Sequence, residues 1–260
     1  MKIIVGTGWW CSTTDSRKIT YGDDLIRSES FSELWLKSVR NNIIYEKIVV
    51  IDSNSPNKSS ILQNSSDVEY VEILENGGHA TNINGRLCGW SRGVMMSMMY
   101  TYCSGGDYYI YVEQDVLLKG KKEIEKTLEN MSTGFAFGKS IDFPQPLQQS
   151  FFIVDKNKIL EFVSRFTSLK YDDNEMSCEV KFALCTSKFF RYVPKFLFKK
   201  VCMGKLLTKL ISRIQSKLAY LLSNFDYVEL NGGRDRPINF DESGYYFQHG
   251  TQEEINRYLD

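Results

Sequence analysis

A chain of 260 residues with 42% hydrophobic and 13% aromatic content carries enough apolar side chain for a helix-covered sheet, which excludes a disordered chain. Its 32 basic and 32 acidic residues cancel, so no global field advertises a nucleic-acid partner and any such contact has to be local. Six cysteines without a C-x-x-C pair and two histidines give no structural-zinc spacing. The apolar run at the start is too short for a secretion signal, and no run of about 18 apolar residues follows, so a cytoplasmic protein with reduced thiols is expected.

In chain order, residues 2–5 predict a first buried strand, followed by a Gly-x-Gly turn (Gly6, Gly8) and the pair Trp9 and Trp10. Ser30 and Glu33 form a capping box opening a helix whose apolar positions are Phe31, Leu34, Trp35 and Val39. Residues 47–52 make a continuous apolar run, the signature of a strand buried on both faces, so strand, helix and strand imply a parallel crossover. A third strand is expected at 68–74, then a polar glycine-rich loop over 76–85, where His79 carries no assignment. A helix from about Trp90 to Cys103 looks apolar nearly all round, with Met95, Met96, Met98 and Met99 as core packing.

The most informative stretch is residues 108–118, YYIYVEQDVLL, where β-favouring residues lead into Glu113 and Asp115. In a strand, positions i and i+2 share a face, so both acids can meet one cation at its end. A hard divalent ion takes such oxygens and keeps positions free for phosphate. Ligands in open α/β sheets sit outside the carboxyl ends of the strands, and the turn after the first strand, Asp52 and the two acids all fall there. Acid-x-acid triplets are also common as solvated strand ends.

This string resembles the Asp-x-Asp motif of nucleotide-sugar-dependent glycosyltransferases of the GT-A fold, here as Glu-x-Asp. The resemblance implies Mn²⁺ (or Mg²⁺) at Asp115 and Glu113, with Asp115 coordinating directly and Glu113 also a donor contact. It makes Thr7, Gly8 and Asp52 candidates for the nucleoside, although Asp52 before Ser-Asn-Ser-Pro reads equally as a turn-forming acid. Residues 85–92 look like the donor-binding stretch, with Arg86 or Arg92 pairing with a diphosphate; Arg92 is favoured because it lies in a first helical turn. Further strands are expected at 134–138 and 151–154, around a loop with Pro144 and Pro146.

An acidic cluster, Asp172, Asp173, Glu175 and Glu179, offers a carboxylate to deprotonate an acceptor hydroxyl. Glu175 and Glu179 are four apart and would share a face of one helix, or all four acids simply complement a helix N-terminus. Asp173, Glu175 and Glu179, with Asp115, are the catalytic candidates. Late in the chain, His249 resembles the third metal ligand that several GT-A families return on a C-terminal loop, and Arg234 or Arg236 is a candidate for the departing diphosphate. Between Glu179 and Asp226 there are ten basic residues and no acid. Lys205, Lys209, Arg213 and Lys217 run beside a Leu/Ile stripe of helical period, which fits an anionic membrane surface, packing on the catalytic body, or a nucleic-acid groove.

Together these features imply an α/β chain with a GT-A-like (Rossmann-like) mixed central sheet flanked by helices and a C-terminal basic amphipathic helical segment. One catalytic domain over 1–260 would comprise a nucleotide-sugar-binding half (1–120), an acceptor half (121–194), the basic helical segment (195–225) and a closing loop and tail (226–260). The implied activity is metal-dependent transfer of a sugar, from a UDP-sugar foremost, to a glycan or glycolipid acceptor in surface polysaccharide synthesis. Localisation would be cytoplasmic, peripheral on the inner membrane face through 204–222, with no nucleic-acid partner. The alternatives are a non-catalytic sugar-nucleotide-binding or scaffold subunit, and a sugar nucleotidyltransferase.

Overall fold

The computed structural model describes residues 1–12, 22–80, 85–139 and 145–260. Residues 81–84 of the glycine-rich loop and Pro144 lie outside the described residues. In chain order the elements are β1 (Ile3–Trp9), α1 (Glu29–Asn42), β2 (Lys47–Asp52), α2 (Ser60–Asn64), β3 (Val68–Glu72), α3 (Gly89–Cys103), β4 (Tyr108–Val112), β5 (Val116–Lys119) and α4 (Lys121–Asn130). There follow β6 (Phe135–Gly138), β7 (Gln148–Asp155), α5 (Lys156–Ser168), α6 (Cys178–Thr186), α7 (Lys205–Leu222), β8 (Asp226–Tyr227), β9 (Asn231–Gly233), β10 (Tyr245–Gln248) and α8 (Gln252–Leu259).

Seven strands form a mixed central sheet in the order β3-β2-β1-β4-β7-β6-β8. The first four are parallel, as strand–helix–strand alternation requires, and β7 then runs antiparallel to both β4 and β6. The expected α/β class and helix-flanked mixed sheet are therefore observed. A second sheet of three strands, β5-β10-β9, stands beside it.

Period-2 alternation assigns the two faces of the main sheet. Ile110, Val112, Phe151 and Ile153 join the cluster made with α1, β5, β10 and α8. Their neighbours Tyr109, Tyr111, Phe152 and Val154 face the aromatic cluster made with α3, α5 and α6. Apolar burial on both faces explains the unbroken hydrophobic runs of the sequence.

Several local expectations are corrected. The strand β1 runs straight through Gly6-Thr7-Gly8 with no turn, because these glycines serve close packing. A Cβ on Gly6 would stand 2.5 Å from the Tyr109 ring, and one on Gly93 of α3 would stand 2.7 Å from the Gly8 Cα. The helix α1 is capped by Ser28, whose hydroxyl accepts from the Phe31 N–H at 3.4 Å, rather than by Ser30. The helix α3 is not buried all round: Met95 and Met98 are core, while Met96 faces solvent.

No helix among the described residues is long and apolar enough to cross a membrane. In α7 only Gln215 and Ala219 are buried, so its basic, Leu-rich remainder lies on the surface.

The contact between Gly93 and Gly8 fixes how closely α3 lies on β1, and hence the carboxyl-end rim of the sheet. Gly93→Ala is expected to lower stability by about 1–2 kcal/mol, because overpacking outweighs the better helix propensity of alanine. Urea denaturation measures this; an unchanged midpoint would mean that α3 withdraws freely.

Candidate active site

The strand β4 stops at Val112, so Glu113 and Asp115 do not share a strand face. They occupy a turn between the two sheets, closed by the Val116 N–H donating to the Glu113 carbonyl at 3.0 Å. The turn's backbone is held from three sides. The Glu113 N–H donates to the Ser150 carbonyl at 2.9 Å, and the Trp35 indole donates to the Glu113 carbonyl at 3.1 Å. The Gln114 amide grips the Trp10 backbone twice, accepting from its N–H at 2.6 Å and donating to its carbonyl at 3.1 Å. Nothing in the sequence beyond its place between the two acids marked Gln114 for this task.

The second sheet brings the late residues to the same place. The antiparallel register of β5 and β10 sets Val116 opposite Gln248, so the next residues outward, Asp115 and His249, meet beyond the last pair. His249 adopts a left-handed backbone, φ 59°, and its Nε2 lies 3.4 Å from Asp115 Oδ2. Histidine is among the residues that visit this region more often, and such a conformation held at a site is a functional pointer.

Gln248 donates from Nε2 to Glu113 Oε2 at 2.8 Å, while its Oε1 accepts from Arg234 Nε at 3.1 Å. Arg234 arrives from the end of β9, where Gly233 has φ 73° and a Cβ would collide with the Gln148 amide at 2.1 Å. A glycine there lets the loop press down and direct Arg234 inward. A guanidinium nitrogen of Arg234 lies 3.8 Å from Glu179 Oε1 in the first turn of α6.

The result is a partly enclosed group of Glu113, Asp115, Glu179, Arg234, Gln248 and His249. Burial pushes the Glu113 carboxyl well above the usual carboxylate range, with the charge of Asp115 adding to it and Arg234 opposing. Two acids this close cannot both be charged cheaply without a cation between them. Asp115 Oδ1 is buried and has no hydrogen-bond partner, which suits a carboxylate oxygen meant for a metal ligand bond. The donor set, two carboxylates and one imidazole, suits Mn²⁺ or Mg²⁺.

Other candidates are placed elsewhere. Thr7 is fully buried within β1, and Gly8 faces α3, so the strand interior and not a loop holds them. Asp52 is fully buried and accepts from the Ser55 N–H at 2.8 Å and the Ser55 hydroxyl at 2.5 Å; it is the turn-forming acid. Arg92 is engaged by Glu75 at 3.0 Å and by the Leu87 carbonyl, while Arg86 is exposed. Arg236 is a strut, donating to the Gln248 carbonyl at 2.7 Å and pairing with Glu254 at 2.6 Å.

Among the acids of the cluster, Glu175 and Glu179 do not share a helix face, since α6 begins at Cys178 and Glu175 lies in the turn before it. Lys199, 2.6 Å away, holds the Glu175 carboxyl below the usual range at the surface. Asp173 is buried against Lys181 at 2.6 Å and also accepts from the Cys88 N–H and the Ser91 hydroxyl. One ligand atom from each of Asp173, Cys88 and Cys178 lies within 4.8 Å of the other two. The Lys181 ammonium already supplies the positive charge there, and a hydrogen bond with Cys88 together with burial pushes the Cys178 thiol well up, away from the thiolate a metal needs. The pair is a structural rivet between α3 and α6.

No protein-family model and no curated protein matches this chain. Among solved structures it is similar to a mannosyltransferase, PcManGT from Pyrobaculum calidifontis in complex with GDP-Man and Mn²⁺, at 11% identity and a TM-score of 0.47 over 72% of this chain. It is also similar to S. aureus TarS 1–349 in complex with UDP, at 12% identity and 0.44 over 96%. A third is the galactosyltransferase LgtC in complex with donor and acceptor sugar analogues, at 10% and 0.39 over 76% of this chain and 71% of that one. The chain spans 52% of the first and 60% of the second. At these identities the likeness is one of chain path alone.

Lys181→Met is expected to cost about 3–5 kcal/mol by leaving Asp173 charged and unpaired in the core. Chemical denaturation would read the loss, and a variant of wild-type stability would return Asp173 to the list of acids available for chemistry.

Proposed function

We propose that this chain transfers a glycosyl group from a nucleoside-diphosphate sugar, a UDP-sugar foremost, to a glycan or lipid-linked glycan acceptor in surface polysaccharide synthesis, with Mn²⁺ or Mg²⁺ as cofactor. The observation that carries it is the buried, unpartnered Asp115 Oδ1 beside Glu113, with the His249 ring 3.4 Å from the other Asp115 oxygen. Asp115, Glu113 and His249 would hold the metal, Asp115 directly. When bound, the ion supplies positive charge that offsets the charge developing on the diphosphate.

The chain's own groups divide the remaining work. Arg234, oriented by Gln248 and unshielded by a close ion pair, presents a guanidinium to phosphate oxygens. Glu179 is the acid left for proton removal from an acceptor hydroxyl, because Asp173 and Glu175 are committed to lysines. Its side chain is 13% exposed, which leaves a route for a substrate oxygen or one water. Trp10, which follows β1 and is held by Gln114 through its backbone, is half-buried beside the acid turn and is the candidate ring for a nucleobase, whereas Trp9 is packed in the core.

A thermal-shift series of nucleoside diphosphates with and without Mn²⁺ tests the reading. One nucleotide is expected to raise the midpoint only with metal, and Asp115→Ala to lose that shift while keeping its fold. Metal-independent binding without turnover would favour the non-catalytic subunit, and no shift with any nucleotide would remove the assignment.

For the base, Glu179→Gln is expected to lower kcat by about 10²–10⁴-fold with little change in donor affinity. An unchanged kcat would exclude Glu179 from proton transfer.

A further inference from the structure

The surface of α7 is not used by the site. Six of its apolar side chains, Leu206, Leu207, Leu210, Ile214, Leu218 and Leu221, are exposed, Leu206 by 85% and Leu221 by 69%. At 100° per residue they fall on one continuous face, opposite the side on which Gln215 and Ala219 are buried. Gln215 pins that inner side by donating to the Leu197 and Lys199 carbonyls, each at 2.8 Å. The helix is therefore fixed to the body by one face while a Leu/Ile face points outward. Lys205, Lys209, Arg213 and Lys217 run along one edge of the outward face, and no acid occurs between Glu179 and Asp226.

We propose that this face of α7 is a docking surface for an anionic lipid bilayer. The 18 residues of the helix span roughly 27 Å and would lie in the plane of the headgroups, the Leu/Ile face entering the acyl boundary and the cations remaining among the phosphates. Charge decides between the occupants. A second copy would set one acid-free basic face against another, and like charges oppose that pairing. Nucleic acid would satisfy the lysines and leave six aliphatic side chains without a partner. A lipid surface matches both the apolar and the cationic halves of the same helix. The segment before α7 also exposes Tyr192 and Phe196, by 85% and 67%, and Arg191. Aromatic side chains of this kind favour the interface.

The whole chain is to be floated with phosphatidylcholine vesicles and with mixed phosphatidylcholine–phosphatidylserine vesicles, at low and at physiological salt. Binding is expected to the mixed vesicles, weakened by salt, with partitioning falling about fivefold for each cation removed in Lys209→Gln and Arg213→Gln. Leu210→Glu/Ile214→Glu, at solvent-exposed positions that leave the fold intact by circular dichroism, is expected to abolish it. Absence of wild-type binding to mixed vesicles, or binding that survives Leu210→Glu/Ile214→Glu, overturns the proposal. So does concentration-dependent self-association in lipid-free buffer that the same double variant abolishes, which would make a second copy the occupant. The nucleotide shift and kcat are independent of these variants, so failure here leaves the proposed activity standing.

Discussion

The antiparallel register between β5 and β10 is the constraint on which the rest depends. Pairing Val116 with Gln248 leaves Asp115 and His249 facing each other just outside the ladder, and no other choice of register would do so. A slip of one residue would exchange the faces of β10 and remove Gln248 from between Glu113 and Arg234. The register is defended by packing: Tyr245, Tyr246 and Phe247 are all within the core on both faces of β10, so a slipped strand would have to repack each of them.

Around that join the structure accumulates negative charge where water is scarce. The cost of doing so falls on Glu113, whose carboxyl is driven toward its neutral form by burial and by Asp115. The neighbouring groups limit the cost without removing it: Gln248 gives Glu113 a hydrogen bond, and Arg234 adds positive charge. By contrast, Asp173, which is more deeply buried than Glu113, is compensated by Lys181 and two further donors. The difference between a satisfied buried acid and an unsatisfied one is the ground on which Asp173 is read as structural and Glu113 and Asp115 are proposed as ligand-binding acids.

Hydrophobic runs exposed the fold in the sequence, because β2 and β4 are buried on both faces and leave continuous apolar strings. Glycines misled: Gly6 and Gly8 look like a turn in one dimension, and only the approach of Tyr109 and α3 shows that they make room. The acid pair was legible as a candidate, but its geometry was not, since a strand end and a turn have the same composition. His249 stood out by its place between an aromatic strand and a glycine. Gln114, Gln148 and Gln248 gave no signal, because a glutamine that orients other side chains looks like any surface glutamine until its partners are known. Distance in sequence hides such partners; 135 residues separate Gln248 from Glu113.

That separation has a kinetic meaning. The parallel core of β1, β2, β3 and β4 is built from residues 3–112, whereas the acids gain their imidazole, their guanidinium and their orienting amide only when the segment from Asn231 to His249 closes back on the turn. A closure of such high contact order is slow relative to the local βα units. The group is thus expected to be completed last, and until the small sheet zips up the chain holds Glu113 and Asp115 apart from Arg234, Gln248 and His249: any ligand that needs all five can bind only the fully closed molecule.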